Sequence, residues 1–218
     1  MVEIMIDGNK YLIDKQCYDV NGGDIEGIIS GRLKYDIINV KDRIVIDIGA
    51  GCGDTAIYYI VKGARLVYAI EPNPVIFRAL IRTIEANMFG DRIIPMAVAL
   101  SDRDDIVKVN PNVYGMFYEQ FNIRDNGNYE VELMTYDTLK YLLIHDGMEY
   151  VLKSDCEGCE QYLLGKDLRI FNEILIEYHS EYLREEFEKQ LIEQGFRIKI
   201  IDIFGSRQVG LIYGVRDK

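Results

Sequence analysis

The chain has 218 residues, 49% of them hydrophobic, and its 36 acidic against 25 basic side chains give a net charge of −11. That length supports one large α/β domain, and no Pro-, Ser- or Gly-rich linker divides residues 1–218. An acidic surface repels a phosphate backbone, which makes nucleic acid an unlikely partner. With neither a membrane-length apolar run nor a basic-then-apolar leader, the expectation is a cytoplasmic protein with no membrane partner.

Residues 1–40 form a small elaboration ahead of a core over 41–218: residues 3–6 and 10–13 flank the hairpin signal Asp7-Gly8-Asn9, and helical segments fill the gap to Val40. Cys17 lies there; it and Cys52, Cys156 and Cys159 are too sparse for a disulfide framework and are expected reduced. From Ile44 the pattern alternates: strand 44–48, helix 54–62, strand 66–70, helix 74–88 and strand 92–98, a βαβαβ run. A polar interval follows, with an aromatic cluster of Tyr114, Phe117, Tyr118 and Phe121 that reads as core or lid packing and secondarily as an aromatic floor for an acceptor. Strand 130–134, helix 137–145, strand 150–154, a further helical segment, strand 173–178 and helix 180–194 come next. Strands 196–203 and 208–215 close through Gly205-Ser206 as an antiparallel hairpin. The expected fold class is α/β with a mostly parallel central sheet.

The richest segment is Val45-Ile46-Asp47-Ile48-Gly49-Ala50-Gly51-Cys52-Gly53-Asp54-Thr55, a strand ending in a carboxylate and running through three alternating glycines into a helix. Glycines there let the chain bend sharply and let backbone approach a ligand with no Cβ between. The next strand ends at Glu71-Pro72-Asn73-Pro74, where a carboxylate is placed to accept from a ribose diol. Gly51, Gly53 and Ala56 also satisfy the dinucleotide pattern, and the glycines could serve a tight turn alone. Asp47 separates these readings, because it would repel a pyrophosphate and suits an ammonium, and residues 47–54 hold no basic side chain. S-adenosylmethionine (SAM) is the cofactor expected.

Leu152-Lys153-Ser154-Asp155-Cys156-Glu157-Gly158-Cys159-Glu160 and Glu177-Tyr178-His179 sit at the carboxyl ends of two further strands, where ligands bind in such sheets. A carboxylate cluster and an imidazole should therefore share the crevice with Gly49. His179 matches a general base by intrinsic pKa, with Asp155 as alternative base or orienter. Lys153 could pair with Asp155 or Glu157 or touch the acceptor, and His179 could equally serve only to bond a neighbouring carboxylate. A divalent ion on Asp155, Glu157 and His179 is chemically possible, but a lone C-x-x-C is a poor metal signal and no metal is assigned. His145, near a helix C-terminus, has no assigned role.

Six blocks in order, Ile46-Asp47-Ile48-Gly49-Ala50 with Gly53-Asp54-Thr55, Glu71-Pro72-Asn73-Pro74, Ala97-Val98-Ala99-Leu100-Ser101-Asp102, Thr135-Tyr136-Asp137-Thr138-Leu139, Lys153-Ser154-Asp155-Cys156-Glu157-Gly158 and Glu177-Tyr178-His179, resemble the FkbM family of SAM-dependent methyltransferases. The match runs from about residue 43 to 180, and residues 1–40 carry none of it. Gly51-Cys52 stands where that family often has Asn and an apolar residue, and Tyr136 where Leu is common. The resemblance implies a Rossmann-like class I SAM-dependent methyltransferase, with O-methylation of a hydroxyl on a small molecule or sugar. RNA or protein methylation and non-catalytic SAM binding are the alternatives. It also implies a cofactor set of Asp47, Gly49, Ala50, Gly51, Gly53, Asp54, Thr55, Glu71, Pro72, Asn73, Ala97 and Asp155, with the methionine end near Asp47, Gly49 and Gly51, the ribose on Glu71 and the adenine near residues 96–98. Asp155, His179, Glu157 and Lys153 form the implied catalytic set.

Overall fold

The structure is a computed structural model and describes residues 1–110, 127–201 and 208–216. The aromatic interval and the Gly205-Ser206 turn lie outside the described residues. Strands β1 (Val2–Ile6) and β2 (Asn9–Ile13) pair antiparallel around Asp7 and Gly8, both at positive φ, as a two-residue hairpin turn with a primed twist requires. Helix α1 (Lys15–Ile29) follows, with the Asp14 carboxylate accepting from the Gln16 N–H at 3.0 Å. A 3-10 turn over Tyr35–Ile37 leads into the core.

The core continues with β3 (Ile44–Ile48), α2 (Asp54–Val61), β4 (Leu66–Ile70), α3 (Pro74–Ala86) and β5 (Ile93–Met96), as the alternation predicts. The anticipated strand 92–98 is two strands. β5 carries Pro95, tolerated because β5 is the sheet edge. At Ala97 the chain departs, and β6 (Val98–Ser101) joins a second sheet with β7 (Asp105–Val109) and β8 (Tyr129–Thr135). The strand foreseen at 130–134 therefore belongs to this outer sheet. β7 escaped notice because its alternation rests on just Val107 and Val109, which pack with Val131 and Leu133 in a separate small cluster. After α4 (Tyr136–Leu143) come β9 (Tyr150–Ser154), β10 (Phe171–Tyr178), α5 (Glu181–Glu193), β11 (Arg197–Ile201) and β12 (Gly210–Val215), with a 3-10 turn at Cys159–Leu163 as the helical segment between β9 and β10. His145 falls just beyond α4, and its N–H donates to the Tyr150 hydroxyl.

The main sheet has the order β11-β12-β10-β9-β3-β4-β5, parallel from β10 through β5, with β12 antiparallel to both neighbours. β3 is buried on both faces, as the centre of such a sheet must be. Ile44, Ile46 and Ile48 pack into the layer with Leu139 and Phe187 of α4 and α5, while Val45 packs into the layer with Ile25, Ile57 and Leu80 of α1, α2 and α3. The period-2 alternation then puts Asp47 on the α1–α2–α3 face, and the same parity puts Lys153 and Glu177 there.

The cysteines are paired, against the expectation of free thiols: Cys17 with Cys52, and Cys156 with Cys159. α1 packs on α2 and brings the first pair's Cα atoms to 6.1 Å, inside the range a disulfide spans, and the turn after β9 brings the second pair's to 5.4 Å. Sparseness along the sequence was a poor guide because both pairings are set by the fold around one crevice.

Candidate functional site

The glycine loop is clamped from two sides. Gly49 adopts φ +77°, and a Cβ there would lie 1.8 Å from the Asp155 carbonyl oxygen, so only glycine fits. The loop after β3 and the loop after β9 thus touch backbone to backbone, tied further by the Asp155 N–H donating to the Ile48 carbonyl at 3.0 Å. Gly51, at φ +52°, is different: a Cβ there would meet nothing nearer than Asp54 Oδ1 at 3.7 Å, leaving space over the loop for a ligand. The N–H groups of Gly49 and Ala50 both donate to the Ile70 carbonyl, and Gly53, at φ +89°, starts α2 under Leu80.

Glu71 holds the open part of this loop. Its Oε2 accepts from the Gly51 N–H at 3.1 Å and its Oε1 from the Asn73 N–H at 2.7 Å. Burial pushes its carboxyl up to about 7 despite these donors. Each carboxylate oxygen has a further lone pair, so the two backbone bonds leave Glu71 able to accept from a diol. Asn73 caps α3, its Oδ1 accepting from the Val75 N–H at 2.9 Å, and Pro74 occupies the first helical position. Pro72 links this cap to Glu71, and Ala97 is exposed at the carboxyl end of β5, beside the Met96 carbonyl that accepts from the Glu71 N–H.

Asp47 is fully buried and already paired. Register places it directly beside Lys153, whose Nζ lies 3.0 Å from Asp47 Oδ1 and donates to the Gly49 carbonyl at 2.7 Å. Asp47 Oδ2 accepts from the Thr55 hydroxyl at 2.5 Å. Lys153 is therefore an internal strut of the loop; the ion pair with Asp155 or Glu157 gives way to one with Asp47, because Lys153 and Asp47 are cross-strand neighbours. Asp54, at the start of α2, is pushed up to about 6 by burial, with Asp47 adding to the rise.

Across the crevice stand Asp155, Glu157, Glu177 and His179. The Tyr35 hydroxyl, from the 3-10 turn before the core, donates to Asp155 Oδ2 at 2.6 Å and lies 3.3 Å from Glu177 Oε2. One hydroxyl proton serves a single acceptor well, and burial beside Asp155 pushes Glu177 up to about 9 so that it keeps its own proton. His179 Nε2 lies 3.4 Å from Glu157 and 3.8 Å from Glu177, while Nδ1 lies 3.5 Å from the fully buried Glu160. Burial disfavours the imidazolium, but Glu160, Glu157 and Glu177 outweigh it and hold His179 up to about 9. Glu157, in a left-handed backbone conformation at φ 55°, is raised by burial to about 7. The sequence reading brought Asp155, Glu157 and His179 together but missed Tyr35, Glu177 as a partner, and Glu160. Tyr35 carried no signal, whereas Glu177 shares the parity of His179 and was within reach of the same reasoning.

No family model matches the chain. The tRNA wybutosine-synthesizing protein 2/3/4 of Arabidopsis thaliana is 36% identical over 69 residues, 31% of this chain. The matched segment covers 7% of that protein and 10% of its Oryza sativa counterpart, so the chain spans a small part of the curated relatives it matches. Among solved structures, M. jannaschii TYW2 in complex with AdoMet aligns over 99% of this chain and 86% of that one, with a TM-score of 0.54 at 17% identity. Aeropyrum pernix fibrillarin with natively bound S-adenosyl-L-methionine aligns over 82% and 69%, with a TM-score of 0.51 at 20% identity. The fold is the Rossmann-like fold of class I SAM-dependent methyltransferases, as expected. The expectation of a sugar or small-molecule acceptor with nucleic acid unlikely is overturned, since the matched plant proteins are named for tRNA modification. Net charge failed as a guide because an average over the chain does not describe any one surface.

Proposed function

We propose that the chain is a SAM-dependent methyltransferase whose acceptor is RNA. The observation that carries the cofactor half is the Gly49–Gly53 loop, locked under Asp155 on one side and hung from Glu71 with open space at Gly51 on the other. Glu71 would take the ribose hydroxyls, and the loop backbone and the acidic wall of Asp54 and Asp155 would receive the positively charged methionine end. SAM, when bound, supplies an electrophilic methyl carbon. The partial match to the wybutosine-synthesizing proteins supports RNA as the acceptor class.

What the chain's own residues contribute is alignment and a proton acceptor. His179, held as a cation at neutral pH, is poorly suited to the base role that its intrinsic pKa suggests. Glu157, raised to about 7 at the crevice rim, is matched to take a proton near neutrality. Asp155 and Tyr35 fix the wall against which the acceptor is presented. The test is transfer of tritiated methyl from SAM to total tRNA and ribosomal RNA by the full chain. Label that enters RNA and is abolished by ribonuclease supports the reading. SAM binding by calorimetry with no labelled RNA would remove the acceptor assignment, and no SAM binding would remove both.

A further inference from the structure

We infer that Asp155, Glu177 and His179 form a divalent-cation site on the acceptor side of the crevice. β9 and β10 are adjacent and parallel, with Leu175 beside Lys153 and Ile176 beside Ser154, so the residues that follow emerge side by side at the carboxyl edge. One donor atom from each of the three side chains lies within 4.8 Å of the other two. Carboxylate and imidazole donors bind a metal at roughly 2.0–2.2 Å, and this spacing closes on an ion with small side-chain movements. Two oxygens and one nitrogen suit ions such as Mn²⁺, and they leave coordination positions open toward Glu157.

A second, independent observation is what stands behind the donors. Metal-bound histidines turn their other ring nitrogen toward a carboxylate that fixes the ring, and bound carboxylates are themselves hydrogen-bonded. Here Nδ1 of His179 faces Glu160, which is fully buried and is itself fixed by the N–H groups of Cys156 and Gly158 at 2.8 Å each. That leaves Nε2 aimed at the cluster. Tyr35, 3% exposed, donates to Asp155 at 2.6 Å and stands 3.3 Å from Glu177, so one buried hydroxyl backs both carboxylates. Each of the three donors thus has an outer partner, and each outer partner is buried. A cation there would take the place of the protons that Glu177 and His179 hold without it. Its use, to hold an oxygen of the acceptor beside the methyl donor, rests on the transferase reading; cation binding does not.

The test is a titration of the chelator-treated full chain with Mn²⁺, following free ion by electron paramagnetic resonance, with neither SAM nor RNA present. One saturable ion per chain is expected. Glu177→Gln and His179→Ala should each weaken binding about tenfold or more, and Tyr35→Phe, which keeps the ring and removes only the outer hydroxyl, about tenfold. Urea midpoints report whether each variant is folded, and Tyr35→Phe carries the test if the others are not. No saturable binding, or binding unchanged in the folded variants, overturns the site. Mn²⁺ binding without methyl transfer to RNA upholds it and rejects the acceptor assignment, while transfer without Mn²⁺ binding does the reverse.

Discussion

Lys153 and Asp47 are 2% and 0% exposed in their side chains, and each is the other's counter-charge. Truncating one partner of such a buried pair strands a charge and destabilises by roughly 3–5 kcal/mol. Lys153→Met should therefore lower the free energy of unfolding by about that amount, read from urea denaturation. A midpoint like that of the parent would mean that Asp47 gives up its charge without penalty. Glu71 belongs to the same scale. Removing its carboxylate takes a charged acceptor from the ribose and a support from Gly51, so Glu71→Ala should weaken SAM binding by about 1–3 kcal/mol in calorimetry. Unchanged affinity would place the ribose elsewhere.

Between elements, the Cys17–Cys52 bridge ties α1 to the glycine loop across 35 residues of sequence. A closed loop of that size contributes on the order of 2–4 kcal/mol. Cys17→Ser should lower the unfolding free energy within that range and loosen the loop, so that SAM affinity falls with it. A full loss of stability with unaltered affinity would mean that α1 supports the domain but not the loop. This tie also marks the limit of what the sequence tells. Strands and helices from 44 to 88 were legible because apolar periodicity and glycine placement are local. Register is not local. It decides that Lys153 meets Asp47 rather than Asp155, that β8 pairs away from the main sheet, and that a tyrosine before the core reaches a carboxylate 120 residues later.

For the whole molecule, the site is a store of protons. Glu71 and Glu157 are raised from 4.5 to about 7, Glu177 from 4.5 to about 9, and His179 from 6.5 to about 9. A raised folded pKa favours the protonated fold; its stabilisation is complete below the unfolded value and is lost as pH rises through the folded one. Metal-free protein in chelator should therefore melt at progressively lower temperature from pH 6.5 to 9, with His179 and Glu177 titrating last. Differential scanning calorimetry of Glu177→Gln should show a shallower decline over that window, and a parallel decline would assign the effect to other groups.

Tyr35 lies in the segment before the core, which carries none of the blocks that mark the cofactor fold, yet its hydroxyl sits on Asp155. The boundary drawn at residue 41 consequently runs through the wall that faces the glycine loop. A protein trimmed there would lose that contact and, with Cys17, the bridge that holds Cys52 in the cofactor loop. Residues 1–40 are thus built into both banks of the crevice, gripping the glycine loop through Cys17 and the facing carboxylate through Tyr35.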